Sequence, residues 1–376
     1  MAPLLSLCMI VKNEAHHLRR CLASVQPWVD EIIVVDTGST DETMAIAREF
    51  TPHVYSFEWQ QDFAAARNYS LQWATGEWMF YIDADEELVV TDAQWRSQLL
   101  HTECAGFCLL RQEVNSHHNW SEFSNCRVAR QQPSLRFVGA LHEQLRWDTG
   151  PVGHLEGVHL VHHNHDSREQ FLQKIRDRNI PILERMVQQG DRRLMNLVCL
   201  GDHYAACGET QQSQYWYQQA LAAIAADIEQ WQRPQDTTWL RHLLFWAAYT
   251  AFTAKDYDTA QTYATYGLTF FDTYPPLLYV TGLLIFELGL PRGALPYFQR
   301  CLDLFASGTY DHNEPFDRQW MTTQPAYSLG FTYLTLNEPE AAITYFQKAL
   351  AFNPQYQPAQ YHLQQLLAAK AHSTDT

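Results

Sequence analysis

Read for its alternation of apolar and polar positions, the chain falls into two stretches with different periods. Up to about residue 165, short continuous apolar runs alternate with segments of helical spacing. The run "LLSLCMIV" predicts a strand buried on both faces, and "NEAHHLRRCLASV" a helix with Asn13 as N-cap and Leu18, Leu22 and Val25 on one face. "EIIVVD" predicts a second strand, "STDETMAIAREF" and "DFAAARNYSLQWA" two further helices, and "EWMFYID" another strand. Strands this uniformly apolar, spaced by helices, predict an α/β domain with a mostly parallel sheet over residues 1–165.

Over residues 166–376 the strand pattern stops and helical spacing continues. Leu329, Gly330, Tyr333, Ala342, Phe346, Ala349 and Pro354 stand at the small and aromatic positions of a tetratricopeptide repeat. Leu200, Gly201, Tyr204, Tyr217 and Ala220 fit the same frame, as do Gly282, Ala294 and Phe298, and more loosely Ala248 and Ala260. Insertions are expected around "DIEQWQRPQDTTW" and "GTYDHNEPFDRQW". An all-α, tetratricopeptide-like domain is therefore expected, one that binds or positions rather than reacts; an unspecific helical bundle is the alternative.

Composition narrows the functions open to this fold. With 376 residues, 46% of them hydrophobic, the chain can fill two cores. A net charge of −16 argues against a nucleic-acid-binding surface, which depends on lysines and arginines neutralising phosphate. A nucleotide ligand is expected to be small and escorted by a metal ion. Eight scattered cysteines with no Cys-x-x-Cys pair predict reduced thiols and a cytoplasmic setting. "PLLSLCMIV" lacks the flanks of a signal peptide, and the longest apolar run, from Leu243, is too short to span a bilayer.

In parallel α/β sheets ligands sit beyond the carboxyl ends of the strands. Three such ends carry candidate chemistry: "VKNE", "VVDTGST" and "DADEE". Ser39 and Glu42 have the spacing of a capping box, and Asp36 at the strand tip is placed either to accept from a base or ribose or to form the Gly38 turn. Asp83 and Asp85, at i and i+2 of an extended segment, project to one side, an arrangement suited to Mg²⁺ or Mn²⁺ and equally found in solvated loops. Crowding Asp83, Asp85, Glu86 and Glu87 is costly unless a cation sits among them or they splay into water. A divalent ion is the expected answer, with Glu86 and Glu87 as flanking loop acids.

In order and spacing, "MIVKNEAHHLRRCLASV", "DEIIVVDTGSTDETMAIA", "DFAAARN" and "GEWMFYIDADEEL" resemble the nucleotide-binding half of family 2 glycosyltransferases with the GT-A fold. The resemblance extends to bacterial members with a tetratricopeptide-like tail, a group that includes peptide S-glycosyltransferases of the sublancin type. It implies an inverting, metal-dependent transfer from a nucleoside-diphosphate sugar, with a UDP-linked sugar expected. Val11 and Glu14 would border the nucleoside, Asp36 would bind base or ribose, and Arg67 would lie near the nucleobase or diphosphate. Asp83 and Asp85 would be the D-x-D pair at Mn²⁺ or Mg²⁺, Asp85 the more direct ligand and Asp83 also a contact of the nucleotide.

"RVARQQPSLRFVGALHEQL" resembles the segment of these enzymes that ends in an acceptor-side His-Glu, with Arg127 and Arg130 where arginines are common. Inversion needs a base on the face opposite the leaving diphosphate. Glu143 is expected to be that base; a His142 base, and a structural Glu143 paired with Arg127 or Arg136, are the alternatives. In "VHLVHHNHDS", His162 matches a histidine that completes the metal shell or contacts the diphosphate, while His163 and His165, like His117 and His118, are expected to be solvated.

The acceptor implied is a peptide or protein side chain or a saccharide, with the repeats presenting it or joining two copies of the chain. A haloacid-type phosphatase also uses D-x-D, but wants Thr or Val where Glu87 stands. A more serious rival is a non-catalytic helical-repeat adaptor whose first domain only binds a nucleotide sugar.

Overall fold

A computed structural model describes residues 3–114, 121–163 and 167–374. These form two compact units, one of residues 3–114, 122–163, 167–192 and 199–214, the other of residues 121, 193–198 and 215–374.

The first unit is built on an eight-stranded mixed sheet. Its first half follows the apolar runs: β1 (Leu5–Val11), α1 (Leu18–Val25), β2 (Glu31–Asp36), α2 (Thr43–Phe50), β3 (Val54–Ser56), α3 (Phe63–Leu71) and β4 (Trp78–Tyr81). Then come β5 (Glu86–Val90), β6 (Gly106–Val114), β7 (Phe123–Arg130), the small β8 (Arg136–Val138) and β9 (Gln144–Arg146) ribbon, and β10 (Val152–His163). The sheet order is β3-β2-β1-β4-β7-β6-β10-β5. Pairs among β3, β2, β1 and β4 are parallel, as is β6 with β10, whereas β7 and β5 run antiparallel to their neighbours. Parallel strands buried on both faces need apolar residues throughout, and Leu5, Leu7, Met9, Val34 and Val35 are fully buried. The last strand ends at His163, yet this unit continues through α4 (Arg168–Lys174), a π-helical turn (Ile175–Asn179) and α5 (Ile180–Gln188). The change of periodicity near residue 165 and the limit of the compact unit are thus different boundaries.

Two local expectations fail at the β1 and β2 tips. The first helix starts at Leu18 rather than Asn13, which adopts φ 56° and accepts the Thr40 N–H through Oδ1 at 2.8 Å. The Ser39/Glu42 capping box does not form: α2 begins at Thr43 with no side-chain cap, and Ser39 Oγ accepts the Asn13 N–H at 2.9 Å. In both places a partner from the neighbouring strand end displaces the local one.

The second unit is helical. After α6 (Leu194–Ala206), α7 (Thr210–Ala223) and α8 (Ala225–Glu229), the helices α9 (Leu240–Thr253), α10 (Tyr257–Phe270), α11 (Pro275–Glu287), α12 (Pro291–Ser307), α13 (Thr323–Thr335), α14 (Pro339–Phe352) and α15 (Gln357–Thr374) pack each on the next. The division between units passes through α6 and α7. A Cβ on Gly330 would lie 2.7 Å from the Phe346 ring, and one on Gly282 2.6 Å from Phe298, so glycine is what lets α13 approach α14 and α11 approach α12. Among the described residues no helix is long and apolar enough to cross a membrane.

Candidate active site

The carboxyl ends of β1, β2 and β4 open onto a cavity of about 390 Å³ in the first unit. Val11, Glu14, Arg67, Asp83, Asp85, Glu143 and His162 all line it, although they come from five separate segments of the chain. Asp36 does not; it sits buried at the tip of β2, where Oδ2 accepts the N–H groups of Gly38 and Ser39 at 3.0 Å each and Oδ1 has no partner. Asp83 and Asp85 lie in the turn between β4 and β5, with Glu86 N–H donating to the Asp83 carbonyl at 3.0 Å, and not on the extended segment expected.

Nine side chains form one file of alternating charge through this site. Arg67 donates through Nε to Glu143 at 2.5 Å and through Nη2 to Asp83 at 2.6 Å. Arg127 continues it, from Asp83 at 3.4 Å to Glu86 at 2.7 Å, and Arg111 donates to Glu86 at 2.7 Å and to Glu113. Glu113 Oε2 is 2.7 Å from His162 Nδ1, and His162 Nε2 is 3.1 Å from Asp85 Oδ2. The guanidinium groups of Arg67 and Arg127 both lie over the Tyr81 ring, which fixes their planes.

This file corrects the reading of the acidic turn. The crowded carboxylates are compensated in large part by three arginines, drawn from α3, β6 and β7, and not by an ion alone. Glu86 is no loop acid: it starts β5 with 0% exposure, its Oε1 shared by Arg127 and Arg111 and its Oε2 accepting the Asp83 N–H. His163 is the last residue of β10, 2.9 Å from Glu87, and so not a solvated loop histidine. Glu143 pairs with Arg67, not with Arg127 or Arg136. His117, His118 and His165 lie outside the described residues.

The electrostatics follow from these bonds. Burial would raise the Asp83 carboxyl, but Arg67 and Arg127 outweigh it and hold the group well below the usual carboxylate range. Asp85 and Glu113 are lowered in the same way, burial being opposed chiefly by His162. Burial opposes protonation of His162, and its two carboxylate partners overcome that, pushing it up to about 9.

Among the described residues no three His, Cys, Asp or Glu side chains converge as a complete metal centre. Both Asp83 oxygens face arginines, so the donors that face each other are Asp85 Oδ2 and His162 Nε2. Five carboxylates in the file meet three arginines and one histidine, an excess of negative charge. One oxygen and one imidazole nitrogen suit Mn²⁺ or a similar divalent ion whose remaining positions take phosphate oxygens and water. The residues fit such an ion.

Sequence reasoning missed several residues. Arg111 and Glu113 stand at i and i+2 on β6 and so share a face, a spacing visible in "RQE" but mute without knowing that β10 lies alongside. Trp59, Phe63, Lys174 and Arg178 also line the cavity, the Arg178 guanidinium 5.2 Å over the Phe63 ring.

Beside Glu143, His142 adopts φ 51° and its buried Nε2 has no partner; its ring centroid is 5.9 Å from that of His203. Burial lowers both, His203 to about 3, with Arg178 opposing and Asp202 favouring the charged form of each. Below pH 6.5 the unfolded chain takes up a proton at His203 that the fold refuses, so stability present above that pH is lost as pH falls toward 3. His203→Asn is expected to flatten that slope by up to ~1.4 kcal/mol per pH unit, read from urea unfolding at pH 5 and pH 7.

Comparison with known proteins places these features. Residues 6–94 match the model of glycosyl transferase family 2, and residues 324–356 that of the tetratricopeptide repeat. A tetratricopeptide-repeat-containing protein of Synechococcus elongatus is 46% identical over 140 residues, covering 37% of this chain and 34% of that protein. The prophage-derived glycosyltransferase SunS of Bacillus subtilis is 28% identical over 193 residues, 50% of this chain and 46% of the relative. An uncharacterized glycosyltransferase of Rickettsia felis is 39% identical over 84 residues, 22% and 29% of the two chains. The chain thus spans less than half the length of these curated relatives.

Proposed function

Since residues 6–94 are a family 2 glycosyl transferase domain and residues 324–356 a tetratricopeptide repeat, we propose that this protein transfers a sugar, with inversion, from a nucleoside-diphosphate sugar to a peptide, protein or saccharide acceptor. UDP is the nucleotide carrier we expect, and Mn²⁺ or Mg²⁺ the ion. The observation that carries this is the meeting of Arg67, Asp85, Glu143 and His162 in one cavity at the strand ends.

Each side chain has a role that its surroundings support. Asp36 lies behind the cavity lining, next to Thr37, and its buried, unpartnered Oδ1 is the acceptor we assign to a base or ribose donor that enters there, with Val11 and Glu14 bordering the nucleoside. Arg67 keeps Nη1 without a partner in the site, a donor for a ligand oxygen, while its other nitrogens hold Asp83 and Glu143 in place. Asp83, so oriented, serves the ribose or diphosphate side, and Asp85 with His162 would hold the ion. When bound, that ion neutralises charge building on the leaving diphosphate. Glu143 has one oxygen on Arg67 and one left to take the acceptor's proton. The repeats would present the acceptor or join two copies of the chain. Among the described residues no cysteine forms a disulfide, which suits a reducing compartment, and we assign the protein to the cytoplasm.

The test is release of nucleotide from a panel of UDP- and GDP-sugars by the full chain, with Mn²⁺, Mg²⁺ or EDTA. Metal-dependent turnover of a UDP-sugar is expected, reduced roughly 10²–10³-fold in Asp85→Asn. Turnover indifferent to EDTA removes the ion from the reading. No turnover with any donor or acceptor favours the non-catalytic adaptor.

A further inference from the structure

We propose that Glu113 is a positioning residue that sets which nitrogen of His162 faces the ion, a role resting on the metal site proposed above. His162 on β10 is in register with Glu113 on the parallel β6 and with Glu86 on the antiparallel β5, so the three side chains form one row across the sheet. Glu113 Oε2 meets Nδ1 at 2.7 Å, which directs Nε2 toward Asp85, and both His162 and Asp85 line the cavity. With Nδ1–H held by a carboxylate, the proton an arriving ion would displace is the one on Nε2, and that nitrogen would then be the one left to ligate it.

Glu113 is itself held in place. Its Oε1 accepts from Arg111 Nη1, while Arg111 Nε donates to the fully buried Glu86 at 2.7 Å and the guanidinium lies 5.2 Å over the Phe123 ring. Glu113 does not line the cavity, so it acts through His162 and not on the substrate. Neither its acidity nor its position is required by β6 as a strand, since β-strands favour branched and aromatic residues over Glu.

The experiment is an electron paramagnetic resonance titration of the full chain with Mn²⁺ alone, with ¹⁴N modulation of the bound ion as a second readout. Glu113→Gln keeps the shape and an acceptor for Arg111. Its amide offers Nδ1 a donor as readily as an acceptor, so the tautomer is no longer dictated. It is expected to weaken Mn²⁺ roughly 10–100-fold and to reduce the ¹⁴N signal, which His162→Ala should abolish. Glu113→Asp, charged but too short, should fall between, and carries the test should the Gln variant not fold. A wild-type ¹⁴N signal with Mn²⁺ affinity unchanged in the folded Glu113 variants overturns this proposal alone. Wild-type protein that binds no Mn²⁺, or binds it without nitrogen coupling, overturns it together with the metal site on which it rests.

Discussion

Arg127→Met is expected to destabilise the sheet-built unit by about 3 kcal/mol, at the low end of the cost of breaking a buried ion pair. Arg127 is 4% exposed and donates to Glu86, Asp83 and Asn125. Methionine fills similar space but leaves Glu86, with 0% exposure, holding a charge that only Arg111 still meets. That remaining partner is why the low end applies. Adding Glu86→Gln should recover part of the loss, because a neutral amide still bonds Arg111 and the Asp83 N–H without a buried charge to compensate. Urea unfolding followed by tryptophan fluorescence measures both. Additive losses in the double variant would mean that Arg127 matters through packing on Tyr81 and not through charge.

The same residues show what a linear reading can and cannot reach. Strands β1 and β2 were legible because burial on both faces leaves a continuous apolar run, and the α13–α14 pair because Gly330 and Phe346 must meet. The acids at Asp83, Asp85 and Glu86 were equally visible. Their compensation was not, since Arg111 and Arg127 lie 25 and 41 residues beyond Glu86 and reach it only through strand pairing. The charge cost inferred at "DADEE" was sound physics with an incomplete answer: arginines carry most of it, and the residual negative charge is what a divalent ion would meet. Lys174 and Arg178 escaped notice for a related reason, because the switch from strand to helical spacing near residue 165 looks like an end while the cavity wall continues past it.

Glu143→Gln is expected to lower donor turnover by roughly 10²–10⁴-fold, the usual contribution of a general base, while leaving UDP and Mn²⁺ binding nearly unchanged. The choice of glutamine separates the two roles open to this side chain. As a structural residue, Glu143 holds Arg67 through Nε at 2.5 Å, and Arg67 in turn holds Asp83 at 2.6 Å. Glutamine still offers an oxygen to Nε, so Arg67 stays in place against the Tyr81 and Phe137 rings and the donor side of the site is preserved. What glutamine cannot do is take a proton from the acceptor, whether that is water in the hydrolysis assay or a substrate hydroxyl or thiol. A fall in turnover with unchanged nucleotide affinity and melting temperature therefore identifies the base. A parallel fall in nucleotide affinity would assign Glu143 to holding Arg67, and the proton would have to go to His142, whose buried Nε2 has no partner and which burial keeps neutral. His142→Gln is the control: with Glu143 as base it should cost far less than Glu143→Gln, and a reversal of that order would move the general-base role to the imidazole.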